Sequence, residues 1–136
     1  MMELIDAMSA RLDEIFDGQY AVYLEEVEQN LQTPCFFIQP LSATDKNMID
    51  NRRYRTYGFA IQFIPGTKAY RSLFADVTKK LFDNFDDFSI GDDVTVYTFD
   101  RTVNVIDDVL HFTVLFKCYE YTDKPSEPAM EDLEIR

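Results

Sequence analysis

Between residues 109 and 121 every second side chain is apolar: Leu110, Phe112, Val114, Phe116 and Cys118, with His111, Thr113, Leu115 and Lys117 between them. A period of two held over that length describes a strand with one face in a core and the other outside it. A second run, from about Arg53 to Ile64, repeats the pattern. Tyr57, Phe59, Ile61 and Phe63 form its apolar side, and Thr56, Gly58, Ala60 and Gln62 form the other. Long one-sided strands need a covering layer, so the chain is constrained to a sheet with helices packed on one face.

The sequence supplies two such helices. The spacing predicts one over residues 2–17, where Leu4, Ile5, Met8, Leu12, Ile15 and Phe16 share a face and Gly18 provides the stop. Its opposite face carries Glu3, Asp6, Asp13, Glu14 and Asp17. The acids at 13, 14 and 17 oppose the helix dipole, so this helix depends on packing more than on its own propensity. A second helix is predicted over about 68–86, with Thr67 as its cap. Tyr70, Leu73, Phe74, Val77, Leu81, Phe82 and Phe85 form its buried stripe, and Asp76–Lys80 and Lys79–Asp83 are solvated i,i+4 couples.

The remaining segments fill in the sheet. Residues 20–27 alternate as a strand, and Cys35-Phe36-Phe37-Ile38-Gln39 forms another, opened by Pro34 and closed by Pro40. The polar stretch 41–51 reads as a long loop and Pro65-Gly66 as a turn. After the second helix comes an acidic link with Asp86, Asp87, Asp92 and Asp93. Short strands at 94–99 and 102–106 follow, then a turn at Asp107-Asp108. The order is helix, three strands, helix, three strands. It implies one α+β domain over 1–122, with an antiparallel or mixed sheet of five to six strands and two main helices on one face. Residues 123–136 contain Pro125, Pro128 and several acids, and read as a loose C-terminal tail.

Charge narrows the function classes. Lys and Arg number 13 against 25 Asp and Glu, a formal balance of −12. Binding driven by phosphate neutralisation or adsorption to an anionic bilayer needs the opposite sign. No apolar run nears the roughly 18 residues of a membrane span, and the acidic, periodic start is unlike a signal peptide. Two distant cysteines, Cys35 and Cys118, suggest free thiols in a reducing compartment.

Catalytic equipment is sparse. His111 is the sole histidine and the sole candidate general base, with no nucleophile motif beside it, so it reads as a half-exposed strand residue. No CxxC or HxxxH spacing exists, and the cysteines read as buried apolar-like groups. The acids from Asp83 to Asp93 miss the EF-hand spacing, because Phe85 stands at the third position and no Glu at the twelfth. The expectation is therefore no catalytic residue, no cofactor and no dedicated metal site. What remains is surface. Arg52, Arg53 and Arg55 form the dense basic cluster. It reads equally as a solvated loop end and as one side of a subunit contact. In the second reading, the complementary side is Asp13 and Asp17 of the first helix or Asp86 and Asp87 of the link.

Four segments, taken in order and spacing, carry a resemblance: MELIDAMSARLDEIF, VYLEEVEQNLQTPCFFI, RRYRTYGFAIQFIP and VLHFTVLFKCYEY. Together they resemble the small tail terminator proteins encoded in the tail-assembly regions of bacteriophages and prophages, over roughly residues 2–121. The resemblance implies an α+β domain that assembles as a homo-oligomeric ring, typically a hexamer. Such a ring caps the finished tail tube, stops its polymerisation, and offers a surface to head-completion proteins. It also implies a place in the virion tail, with assembly in the host cytoplasm and DNA passing through the lumen without being read. It transfers no catalytic residue. Three other readings remain at this point: a head–tail connector or neck protein, an acidic DNA mimic that inhibits a host protein, and a small enzyme built around His111.

Overall fold

The computed structural model describes residues 2–24, 32–66, 70–90 and 94–121. The elements in order are α1 (Met2–Ile15), β1 (Ala21–Tyr23), β2 (Cys35–Asn47), a short 3-10 turn (Ile49–Asn51), β3 (Arg52–Ile64), α2 (Arg71–Asn84), β4 (Phe88–Ile90), β5 (Val94–Ile106) and β6 (Val109–Tyr121). The sheet has six strands in the order β1-β2-β3-β6-β5-β4. β1 runs parallel to β2 and all other neighbours are antiparallel, so the sheet is mixed.

Both helices lie on one face. Leu4, Ile5, Met8 and Leu12 of α1 and Phe74, Val77 and Leu81 of α2 are buried in one cluster with Phe36, Ile38, Phe59, Ile61, Phe63, Phe112, Val114 and Phe116. Rings lock the layers together. Phe36 meets Phe16 and Phe63 at centroid distances of 5.2 and 5.0 Å, and Phe85 meets Phe112 edge-on at 5.4 Å. Such pairs add to the burial of a large apolar area. The opposite face of the sheet carries no helix among the described residues. His111 lies there, half-buried, in register with Gln62 on one side and Asn104 on the other.

Several boundaries differ from the sequence reading, each for a local reason. α1 ends at Ile15 because Asp17 and Gly18 both take positive φ, with the Gly18 amide donating to the Asp13 carbonyl at 2.8 Å. α2 begins at Arg71 with Tyr70 at its N-cap position, where the Tyr70 carbonyl accepts from the Phe74 amide. Thr67, the expected cap, lies outside the described residues. Phe85 is buried but sits at the C-cap, and Phe82 of the expected stripe is exposed. Residues 25–27 of the expected first strand also lie outside the described residues.

Two corrections are larger. The polar stretch 41–47 is not loop but the second half of β2, paired with β3 as far as Asn47↔Arg53. Pro40 does not end the strand, because β2 has no strand beyond it there among the described residues and absorbs the irregularity as a bulge between Pro40 and Ser42. Likewise 94–99 and 102–106 are one strand, β5, with a bulge between Thr98 and Asp100. The acidic link also contains a short strand, β4, whose Phe88 enters the core.

Candidate assembly surfaces

The four long strands form two hairpins pointing in opposite directions. β3 pairs with β6 from Arg52↔Tyr121 to Phe63↔Leu110, so the 48–51 turn and the Asp107-Asp108 turn lie at opposite ends of the sheet. A 13-residue strand spans about 43 Å. Asp107 and Asp108 both take positive φ, as a two-residue hairpin turn requires.

Core packing covers only part of the β2–β3 hairpin. Cys35, Phe36 and Ile38 are buried at its start, whereas every residue from Gln39 to Asn47 is exposed. The distal half is thus an arm that projects past the helical layer. Apolar groups decorate it: Leu41 and Met48 are exposed, and Ile49 at the tip is 80% exposed.

The arm is held by a polar network. On its helix-side face, Arg53 Nη1 donates to Asp45 Oδ2 at 2.7 Å and Arg55 Nε donates to Asp45 Oδ1 at 3.2 Å. Arg55 Nη1 reaches across to Glu120 Oε2 on β6 at 3.0 Å. The bond to Asp45, and then the charge of Glu120, hold the Arg55 guanidinium above its ordinary pKa against the cost of its partial burial. On the other face the Thr44 and Thr56 hydroxyls bond across the two strands.

The arginine cluster read from the sequence is therefore divided. Strand alternation sends Arg53 and Arg55 to the helix side, where each has a carboxylate partner within the subunit. Arg52 points to the open side, its guanidinium over the Tyr119 ring at 5.8 Å from the centroid. The expected acidic partners are also dispersed. Asp13 and Asp17 are exposed at the end of α1. Asp86 lies 3.4 Å from Arg101 Nη1 of its own subunit, and Asp87 Oδ1 accepts weakly from the Thr98 amide at 3.4 Å.

The sheet edges stand out more than these charges. β1 covers only residues 35–37 of the outer edge of β2, and β4 covers only residues 94–96 of the outer edge of β5. Residues 38–47 of β2 and 97–106 of β5 have no outer neighbour among the described residues. Strand ends without neighbours present unpaired N–H and C=O groups ready for another chain. These two stretches lie on opposite sides of one sheet, and because β3 and β6 lie between them with each of the three steps antiparallel, they run in opposite directions.

A family profile described as phage tail terminator protein matches residues 3–128. The chain belongs to the phage tail terminator family. A search of curated proteins found no relative that matches. Membership makes the chain a structural tail-completion protein of a non-enzymatic class, a component of the virion tail that works with tail and head-completion proteins.

Its chemistry-bearing residues sit apart from one another. Among the described residues, no three His, Cys, Asp or Glu side chains gather where they could hold a metal ion. No described helix is long and apolar enough to cross a membrane. Cys35 and Cys118 are free, buried thiols, and burial pushes both above the ordinary thiol pKa, with Glu120 adding to the effect at Cys118. Exposed sheet edges that pair between neighbours are an expectation of the sequence, but the arm is not, because residues 41–47 carry no apolar alternation. The available signal was length: a 13-residue β3 leaves an unmatched partner if β2 stops at Gln39.

Proposed function

We propose that this chain closes into a ring by joining the outer edge of β2 in one copy to the outer edge of β5 in the next, and that this ring caps the tail tube. The observation that carries the reading is the pair of long outer edges on opposite sides of one sheet, running in opposite directions. A copy rotated about an axis roughly along the strands brings its β2 antiparallel to β5 of its neighbour. The contact is heterologous, so it repeats until the rotation closes.

The covering strands support this arrangement. β1 protects β2 beside the core, and β4 protects β5 at the other end of the sheet. The bare stretches are therefore offset along the strands, and a sheet that curls closed requires such a stagger. A ladder of about six residues adds about six backbone hydrogen bonds, each worth about 1 kcal/mol net. The bulges at Pro40/Ser42 and Thr98/Asp100 restrict which registers fit.

In such a ring the two hairpin turns face the two rims. One rim seats on the last ring of the tube and ends its growth, and the other receives the head-completion protein. The internally paired Arg53, Arg55 and Asp45 shape the arm, while Arg52, Asp13, Asp17, Asp86 and Asp87 remain candidate contacts at its margins.

Sedimentation of the purified protein, followed by electron microscopy alone and with tail tubes, tests the reading. Closed rings of one size, bound at one end of a tube, are expected. A strict monomer at every concentration, with and without tubes, overturns it.

A further inference from the structure

The two bare edges carry side chains in matching order. On β2 beyond its bulge, Ser42, Thr44 and Lys46 stand on the open face of the sheet, opposite Gly58, Thr56 and Tyr54, while Ala43 and Asp45 stand on the helix side. On β5 between its bulge and the turn, Asp100, Thr102 and Asn104 stand on the open face, opposite Leu115, Thr113 and His111, while Arg101 and Val103 stand on the helix side. Lys46 and Asp100 are exposed, and neither has an ion-pair partner among the described residues. Rings gather at the arm end of the open face. Tyr54 and Tyr119 lie 5.1 Å apart, and Tyr97 and Phe99 on β5 are 44% and 48% exposed.

We propose that Lys46 of one copy pairs with Asp100 of the next, in a single register that seats the arm tip on the neighbour's Tyr97 and Phe99. This rests on the edge-to-edge joint proposed above. Faces limit the choice first. A continuous sheet keeps open-face residues opposite one another, so a slip of one residue is excluded and the allowed registers differ by two. In one of them Ser42, Thr44 and Lys46 face Asn104, Thr102 and Asp100, and Ala43 and Asp45 face Val103 and Arg101. Lys46 then meets Asp100 on the open face and Asp45 meets Arg101 on the helix side, two unlike pairs. Asp45 keeps Arg53 and Arg55, and Arg101 keeps Asp86, so charges alternate across the joint. Thr44, bonded to Thr56, faces Thr102, itself the register partner of Thr113. A shift of two residues either way breaks both charge pairs. Lys46 then faces Thr102 or Tyr97, and Asp45 faces Val103 or Thr98.

Length selects the same register. Phe99 is the extra residue of the β5 bulge, so beyond Lys46–Asp100 the pairs are Asn47–Thr98 and Met48–Tyr97. Tyr97 is the last residue of β5 before the stretch that β4 covers, where Phe88 pairs with Val96. The arm turns at residues 48–51, so it ends where the bare edge ends. Met48 shares the open face with Lys46, two residues back, and its thioether lies on the neighbour's Tyr97 and Phe99 rings. The Met48 amide donates to the Arg52 carbonyl at 2.8 Å, so the Lys46 backbone also turns toward β3. Lys46 and Asp100 therefore form a non-hydrogen-bonded pair, in which side chains approach closest.

Cysteine cross-linking of the full-length protein, with sedimentation of the same samples, tests the proposal. Lys46→Cys/Asp100→Cys sets thiols at the proposed pair. Lys46→Cys/Thr102→Cys and Thr44→Cys/Asp100→Cys set them at the registers shifted by two. Within one subunit β2 and β5 are about 14 Å apart, so any link joins two copies. Mild oxidation is expected to convert most chains of the first variant into a ladder of multimers on a denaturing gel and to leave most chains of the other two single. Charge exchange is the second readout. Lys46→Asp should raise the concentration for half-assembly about 5-fold, and adding Asp100→Lys should restore it. Rings that link through a shifted pair, or that the added Asp100→Lys does not restore, overturn the register and leave the edge joint standing. Rings that link through none of the three pairs overturn the joint with it, as does a strict monomer.

Discussion

The two halves of the β2–β3 hairpin are one continuous pair of strands in two different environments. The proximal half places Phe36, Ile38, Phe59, Ile61 and Phe63 under α1 and α2, all essentially without solvent contact. The distal half, from Gln39 to Asn47 on β2, has no helix over it among the described residues and is held by Asp45, Arg53, Arg55, Glu120 and the Thr44–Thr56 hydroxyl pair. The first half is specified by burial, which is worth a few kcal/mol per large side chain. The second is specified by half-exposed ion pairs, each worth about 1 kcal/mol or less. A region kept at so little cost to its own fold is free to meet something else.

The contrast is open to test by substitution. Phe112 touches the rings of Phe82 and Phe85 and lies beneath the helices. Phe112→Ala should cost about 3–5 kcal/mol in chemical unfolding. A loss below about 1 kcal/mol would mean that the helices do not cover this half of the sheet.

Proline substitutions probe the arm. Along a strand, successive N–H groups point to opposite neighbours. Of Ala43→Pro and Thr44→Pro, one removes a ladder bond to β3 and the other removes only an outward donor. The first should cost about 1–3 kcal/mol of stability. The second should leave the unfolding transition nearly unchanged and abolish the ring. Equal behaviour of the two variants would remove the outer edge from the assembly.

Asp45→Ala should lower global stability by about 1 kcal/mol or less while speeding amide exchange across residues 41–56, because both arginines lose their shared partner. Uniformly faster exchange in the core as well would show that the two halves are not separable.

The smallest effect is on pH dependence. Burial raises the pKa of Cys35 and Cys118 in the folded state. Their contribution is therefore complete below the unfolded thiol pKa of about 8.5 and is lost as pH rises beyond it. Stability should fall as pH rises above about 8.5, and the double alanine variant should show a flatter decline there.

How far the sequence told this story depended on burial. The alternation in 57–63 and 110–118 and the stripes of α1 and α2 were legible because each apolar position records a core contact. β4 was hidden because three residues are too few to display a period. Residues 41–47 were hidden because both of their faces are exposed and polar, so nothing in their hydropathy distinguishes a projecting strand from a loop. Pro40 and the polar run that follows favoured a loop locally, and pairing with β3 overrode that preference. The arginine cluster was legible as a cluster but not as a divided one. Only the register shows that Arg52 faces away from Arg53 and Arg55. Nor could the sequence place Tyr54, Tyr97, Phe99 and Tyr119 side by side, since they come from three strands.

The central claim is that neighbouring copies join edge to edge. Amide exchange of residues 41–47 and 97–104, compared between the dilute subunit and the assembled state, addresses it most directly. The account predicts that both stretches exchange freely in the subunit and become protected together on assembly, in the alternating pattern of a new antiparallel ladder. Assembly that leaves both stretches as exposed as before would contradict it.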